Sequence, residues 1–217
     1  MLADACEQMI EQQVRAWDVL DARILDALRA VPRERFVPER WRELAFADCD
    51  IALPCGKRML RPMLVGRILQ ALQVRPGEQV LEVGTGSGYL SACLATLGAE
   101  VCSIELHPQI AVIARANLQA VPPPSPPVEV ISADAMQLAD ESCYDAIVLT
   151  ASLPIYQPRF ERALRPGGRL FVVVGAAAPQ QASLIRRVGA HEWSSEVLFE
   201  THIEALENAP RPAVFGF

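Results

Sequence analysis

The ten residues from Gln79 to Gly88 constrain this chain more than any other stretch. Gln79-Val80-Leu81-Glu82-Val83 is an apolar run of strand length, and Gly84-Thr85-Gly86-Ser87-Gly88 follows it directly. Residues 89–97 then read as a helix. A strand that turns into a helix through three glycines is built for a ligand. Glycine allows positive φ and close backbone approach. The helix that follows offers free N–H groups to an anionic part of the bound molecule. Dinucleotide enzymes use a similar loop, so the glycines alone do not choose the ligand.

The rest of the chain repeats the same alternation. Strands are expected at 101–105, 128–131, 146–149 and 169–174, with helices at 108–120 and 159–164. Alternating strands and helices imply right-handed crossovers and a doubly wound, mostly parallel α/β sheet. The strands are apolar on both faces, as strands covered on both sides must be.

Upstream, Ile10, Val14, Trp17, Ile24, Leu25 and Leu28 recur at helical spacing over residues 4–30, with Asp21 placed to start a second helix. Prolines 32, 38, 54 and 62 punctuate loops with a short helix near 39–45, and residues 63–73 read as helical. The expected organisation is an N-terminal helical and acceptor segment (1–75) packed on a core (76–217), as one compact domain. Pro122-Pro123-Pro124-Ser125-Pro126-Pro127 reads as a stiff joint. Residues 196–206 read as an edge strand, and Pro210-Arg211-Pro212 as tail.

Composition narrows the function classes. A formal net charge of -6 argues against a duplex nucleic-acid partner. Hydrophobic residues at 51% and charged residues at 21% fit a globular domain. The six cysteines form no C-x-x-C pair and have no histidine at ligand spacing, so free thiols in a reducing cytoplasm are expected, with no metal. The first eleven residues lack a signal pattern, and no apolar run approaches the ~20 residues of a membrane span. His107, His191 and His202 are scattered, and Trp17, Trp41 and Trp193 read as packing residues.

Three acids sit where strands end. Glu82 lies inside the first strand, where it can orient the loop or receive a cationic amino group. Glu105 ends the second strand, placed to accept from ribose hydroxyls. Asp134 follows the third, placed for an adenine amino group. Ligands of such sheets bind at the carboxyl ends of the strands, so three acids there mark one crevice.

Glu-x-Gly-x-Gly-x-Gly, the acids at 105 and 134, and Leu164-Arg165-Pro166-Gly167-Gly168-Arg169-Leu170 together resemble the class I methyltransferase fold. That resemblance implies S-adenosylmethionine as cofactor, with S-adenosylhomocysteine as product. It implies a seven-stranded sheet with a seventh strand antiparallel at the edge. It also implies a cofactor site at Glu82, Gly84, Thr85, Gly86, Ser87, Gly88, Tyr89, Glu105, Leu106, Asp134, Ala135, Thr150 and Ala151. The rival for the loop, a nicotinamide dehydrogenase, needs a second mononucleotide half, and none follows residue 175.

The flanks narrow the family. Val31-Pro32-Arg33-Glu34-Arg35-Phe36-Val37-Pro38, Ala45-Phe46-Ala47-Asp48, Leu53-Pro54-Cys55-Gly56, Pro62, Tyr144-Asp145-Ala146-Ile147, Thr150-Ala151 and Val173-Val174-Gly175 resemble the protein-L-isoaspartate O-methyltransferases. The match runs in order over residues 8–176. It implies methyl transfer to the isoaspartyl carboxylate of damaged proteins.

The chain departs from that family at the acceptor segment. Where the family typically reads Gly-Gln-Thr-Ile-Ser-Gln-Pro, this chain reads Gly56-Lys57-Arg58-Met59-Leu60-Arg61-Pro62. The family's serine falls on Leu60, which offers no side-chain hydrogen bond. Lys57, Arg58, Met59 and Arg61 become the substrate-binding candidates. A guanidinium at 58 can grip a carboxylate with two parallel bonds. The alternatives left open are a methyltransferase for another anionic substrate and a catalytically silent cofactor-binding adaptor.

Overall fold

A computed structural model describes residues 2–121 and 127–213. The proline-rich joint, read at 122–127, lies outside the described residues except for Pro127. Seven strands form the main sheet: β3 (Gln79–Val83), β4 (Glu100–Glu105), β5 (Glu129–Ser132), β6 (Tyr144–Leu153), β7 (Leu164–Val174), β8 (Gln180–Arg187) and β9 (Trp193–Thr201). Their order in space is β5-β4-β3-β6-β7-β8-β9. The first five are mutually parallel, and the chain order reverses between β3 and β6. That reversal opens a crevice at the carboxyl ends of those strands.

The sheet corrects two expectations. The antiparallel strand is β8, one place in from the edge, and the edge strand β9 is antiparallel to β8. β9 therefore runs with the parallel strands. It spans Trp193–Thr201 rather than 196–206, which releases residues 202–206 for another task. β7 starts five residues earlier than expected, because Tyr144 pairs with Leu164 ahead of a register shift. Gly167, at φ 80°, carries the chain through that irregularity.

Helices cover the sheet. α1 (Leu2–Met9) continues as a π turn over Ile10–Val14 and a 3-10 turn over Arg15–Trp17. Asp18 in the left-handed region ends that run. α2 (Ala22–Ala30) starts where the sequence places it: the Asp21 side chain accepts from the Arg23 N–H at 2.9 Å, a helix N-cap. A 3-10 helix occupies Glu39–Leu44, and β1 (Ile51–Ala52) pairs antiparallel with β2 (Arg58–Met59). α3 (Pro62–Leu72) opens on a proline, whose missing N–H costs nothing in a first helical turn. α4 (Tyr89–Thr96), α5 (Pro108–Ala120) and α6 (Pro158–Arg162) complete the set.

One large hydrophobic cluster joins Ile10, Val14, Leu28, Phe36 and Leu64 from the N-terminal part to Leu94 of α4 and to Val80, Val148 and Phe171 of the sheet. The other sheet face has its own cluster around Leu81, Leu149, Phe160 and Leu170. All six cysteines are free. Among the described residues, no helix is long and apolar enough to cross a membrane.

Candidate active site

The glycine loop is held from three sides. The Gly84 N–H donates to the Ile104 carbonyl at 2.8 Å. The Thr150 hydroxyl lies within 3.0 Å of the Val83 carbonyl and 2.7 Å of the Gly84 carbonyl, so one donor serves both. The Gly86 N–H donates to Glu105 Oε2 at 3.0 Å. Gly84 has φ 92°, and a Cβ there would stand 2.3 Å from Thr150 Oγ1. Glycine at 84 is therefore required twice, by backbone conformation and by space.

Glu105 is 5% exposed, and its second oxygen accepts from the His107 N–H at 3.0 Å. Its carboxylate thus fixes the loop on one side and the start of α5 on the other. Each oxygen keeps further acceptor capacity, and the residue lines the crevice. Asp134 Oδ1 caps the turn at Met136 N at 2.8 Å, while Oδ2 accepts from Asn208 Nδ2 at 3.0 Å.

A cavity of about 420 Å³ lies above these strand ends, well within the range of ligand sites. Of the cofactor candidates, Gly84, Gly86, Glu105, Leu106, Asp134, Ala135, Thr150 and Ala151 line it. Lys57, Arg58 and Leu60 line the same cavity from the acceptor side. The remaining candidates stand behind it. Thr85 and Ser87 are buried, with the Thr85 hydroxyl 2.6 Å from that of Ser103. Gly88 is the left-handed residue before α4, and Tyr89 is buried beneath it. Met59 is a core residue, and Arg61 turns to Asp50 at 3.7 Å.

Glu82 is wholly buried and does not reach the main cavity. Its Oε2 accepts from the hydroxyls of Ser91 and Ser103, the latter at 2.8 Å. Burial pushes its carboxyl up to about 7, against those two hydrogen bonds. Its Oε1 has no partner among the described residues and faces a void of about 30 Å³ behind the loop. Glu82 meets the loop only through Ser103, whose hydroxyl is also 2.6 Å from that of Thr85.

Arg33, part of the N-terminal signature, is buried, and no carboxylate among the described residues forms a salt bridge with it. Its Nε donates to the Ala45 carbonyl at 2.8 Å and its Nη2 to the Leu60 carbonyl at 2.7 Å. Its guanidinium lies 4.7 Å from the centre of the Tyr89 ring. One side chain so braces the acceptor segment against the helix that follows the glycine loop.

The residues that sequence reasoning missed come from the end of the chain. His202 to Glu207 form a whole wall of the cavity. Glu204 pairs with Arg58 Nε at 3.3 Å. Glu207 pairs with Lys57 Nζ, and with His107 Nε2 at 3.1 Å. All three basic residues expected to serve a substrate, Lys57, Arg58 and Arg61, are thus ion-paired within the chain. Ser152, fully buried, holds this wall: its N–H donates to the Glu204 carbonyl and its carbonyl accepts from the Leu206 N–H, both at 2.8 Å.

The family model for protein-L-isoaspartate(D-aspartate) O-methyltransferase matches residues 4–204. The chain belongs to this family. A protein-L-isoaspartate O-methyltransferase of Methanoculleus marisnigri is 40% identical over 199 residues, covering 88% of this chain and 89% of the relative. One of Koribacter versatilis is 36% identical over 181 residues, covering 83% and 81%. The fold agrees: a Plasmodium falciparum protein of the same description, solved with S-adenosylhomocysteine, superposes with a TM-score of 0.78 at 18% identity over 94% of this chain and 97% of that one. Membership of an O-methyltransferase family makes S-adenosylmethionine the cofactor, in place of the nicotinamide rival. The residues present fit it: a loop with no room for a Cβ at 84, and acids at both 105 and 134 facing one cavity.

Proposed function

We propose that this chain methylates the isoaspartyl carboxylate of damaged proteins, a repair reaction, with the acceptor gripped by Arg58. One observation carries the reading: a single cavity runs from Glu105 and Asp134 to Lys57, Arg58 and Leu60, so cofactor and acceptor ends share one space. Glu105 takes the ribose hydroxyls and Asp134 the adenine amino group, while Gly84 and Gly86 let the ligand lie against the backbone. Bound S-adenosylmethionine supplies an electrophilic methyl group. The acceptor carboxylate is ionised at neutral pH, so no general base is needed. What the chain supplies is alignment at roughly 3–3.5 Å. Leu60 has no donor to replace the family's hydroxyl, and the Arg58 guanidinium takes over the carboxylate. Arg33 fixes the Leu60 carbonyl and with it the track of the segment.

An isoaspartyl peptide and its aspartyl twin test this together. Methyl ester should form on the first only. Arg58→Ala should raise the peptide KM by roughly ten- to a hundred-fold, the loss of a hydrogen bond to a charged group, with S-adenosylhomocysteine affinity nearly unchanged. An unaffected variant removes the clamp. The loss of the hydroxyl at 60 favours one second reading, methylation of a different anionic acceptor. Transfer only in the presence of a metabolite extract would establish it.

A further inference from the structure

The mouth of the cavity carries two opposed rows of charge. Lys57 and Arg58 stand on one side, and Glu204 and Glu207 on the other. Two positive and two negative charges cancel. All four side chains keep contact with solvent, from 28% exposed at Lys57 to 56% at Arg58. The side chains are free to exchange partners, but the backbone beneath the acids is not. Ser152 binds the main chain at Glu204 and Leu206, and Gln180 Oε1 accepts from the Ile203 N–H at 2.9 Å.

An acceptor entering this mouth upsets the balance. Its carboxylate takes Arg58, and Glu204 is left in place without its cation. A lone carboxylate would turn the mouth net negative, with Glu105 and Asp134 already lining the same cavity. An acceptor that brings its own cation beside the reacting carboxylate restores the balance.

We propose that Glu204 selects isoaspartyl acceptors with a lysine or arginine next to the damaged residue and disfavours acidic neighbours. Glu207 acts less directly, since His107 and Lys57 both remain beside it. The inference rests on the reading of Arg58 as the carboxylate clamp. It concerns which damaged sites are served, and it adds nothing to the chemistry of transfer.

Three isoaspartyl peptides of equal length, flanked by Lys, Ala or Glu, test it with the full chain. For the wild type, kcat/KM should fall in the order Lys, Ala, Glu by roughly two- to five-fold per step, the range of partly exposed ion pairs. The spread should shrink at high salt. Glu204→Gln should narrow it, and Glu204→Lys should reverse it. S-adenosylhomocysteine titration checks that each variant is folded, and Glu204→Gln decides the matter if the lysine variant is not. Equal rates on the three peptides, or an order that Glu204→Lys leaves intact, overturns the inference while the isoaspartyl activity stands. No transfer to any peptide defeats both.

Discussion

Glutamine in place of Glu82 isolates the buried carboxyl beneath the glycine loop that burial raises into the neutral range. Glu82 is 0% exposed, and its carboxyl is raised from 4.5 to about 7, chiefly by burial. The folded chain therefore holds a proton that the unfolded chain gives up at lower pH. A carboxyl raised on folding adds stability that is complete below pH 4.5 and is lost as pH climbs through about 7. The gap corresponds to about 3 kcal/mol across that window, at 1.36 kcal/mol per unit. Glu82→Gln has no proton to lose, and its amide oxygen can still accept from Ser91 or Ser103. Denaturant midpoints for both proteins from pH 4.5 to 8 give the comparison. The variant should gain on the wild type by about 3 kcal/mol between the ends of that range, whatever the offset from the new amide. Two curves that stay parallel would show that Glu82 does not change its charge there, and the account of its burial would be wrong.

Two further variants probe the cofactor end. Gly84→Ala combines a φ of 92° with a Cβ 2.3 Å from Thr150 Oγ1; it should cost about 1–3 kcal/mol and weaken S-adenosylhomocysteine binding, and an unchanged melting curve would refute the close approach. Asn208→Ala frees Asp134 Oδ2, now 3.0 Å from Asn208 Nδ2. Calorimetry should then show S-adenosylhomocysteine binding tighter by roughly two- to five-fold, the worth of an exposed polar contact, whereas weaker binding would mean that Asn208 orients the acid for the ligand.

The parallel half of the sheet was legible because each strand is an apolar run bounded by glycine, proline or a helix start, as at Val83-Gly84 and Leu106-His107-Pro108. The N-cap at Asp21 is equally local and equally legible. The acids at 105 and 134 were found because the fold fixes where strand ends meet. β9 was displaced because an edge strand with an exposed face loses its alternation: Ser194 to Val197 are all exposed. β8 escaped notice because Leu184 and Ile185 are its only large apolar residues, too short a run to read as a strand. The wall from His202 to Glu207 had no local signal at all. Glu204 reads as part of an edge strand and Glu207 as the residue just past it, until the fold sets them against Arg58 and Lys57, some 150 positions earlier in the chain. Likewise Glu82 looked available to a ligand, and only packing against Ser91 and Ser103 turns it inward.

The Ser152 anchor has a consequence for how the molecule is made. The glycine loop, the three acids and the basic segment all precede it in the chain, but the wall it carries lies 52 residues further on. Synthesis runs from the N-terminus, and early parts fold first. A chain halted before residue 202 holds every residue expected to touch the cofactor, yet it lacks the cavity wall from His202 to Glu207. A ligand that needs the closed crevice adds its binding energy only to the finished molecule. A cofactor held against that wall would therefore stabilise the finished chain and not its unfinished precursor, with the molecule that supplies the methyl group also marking completion.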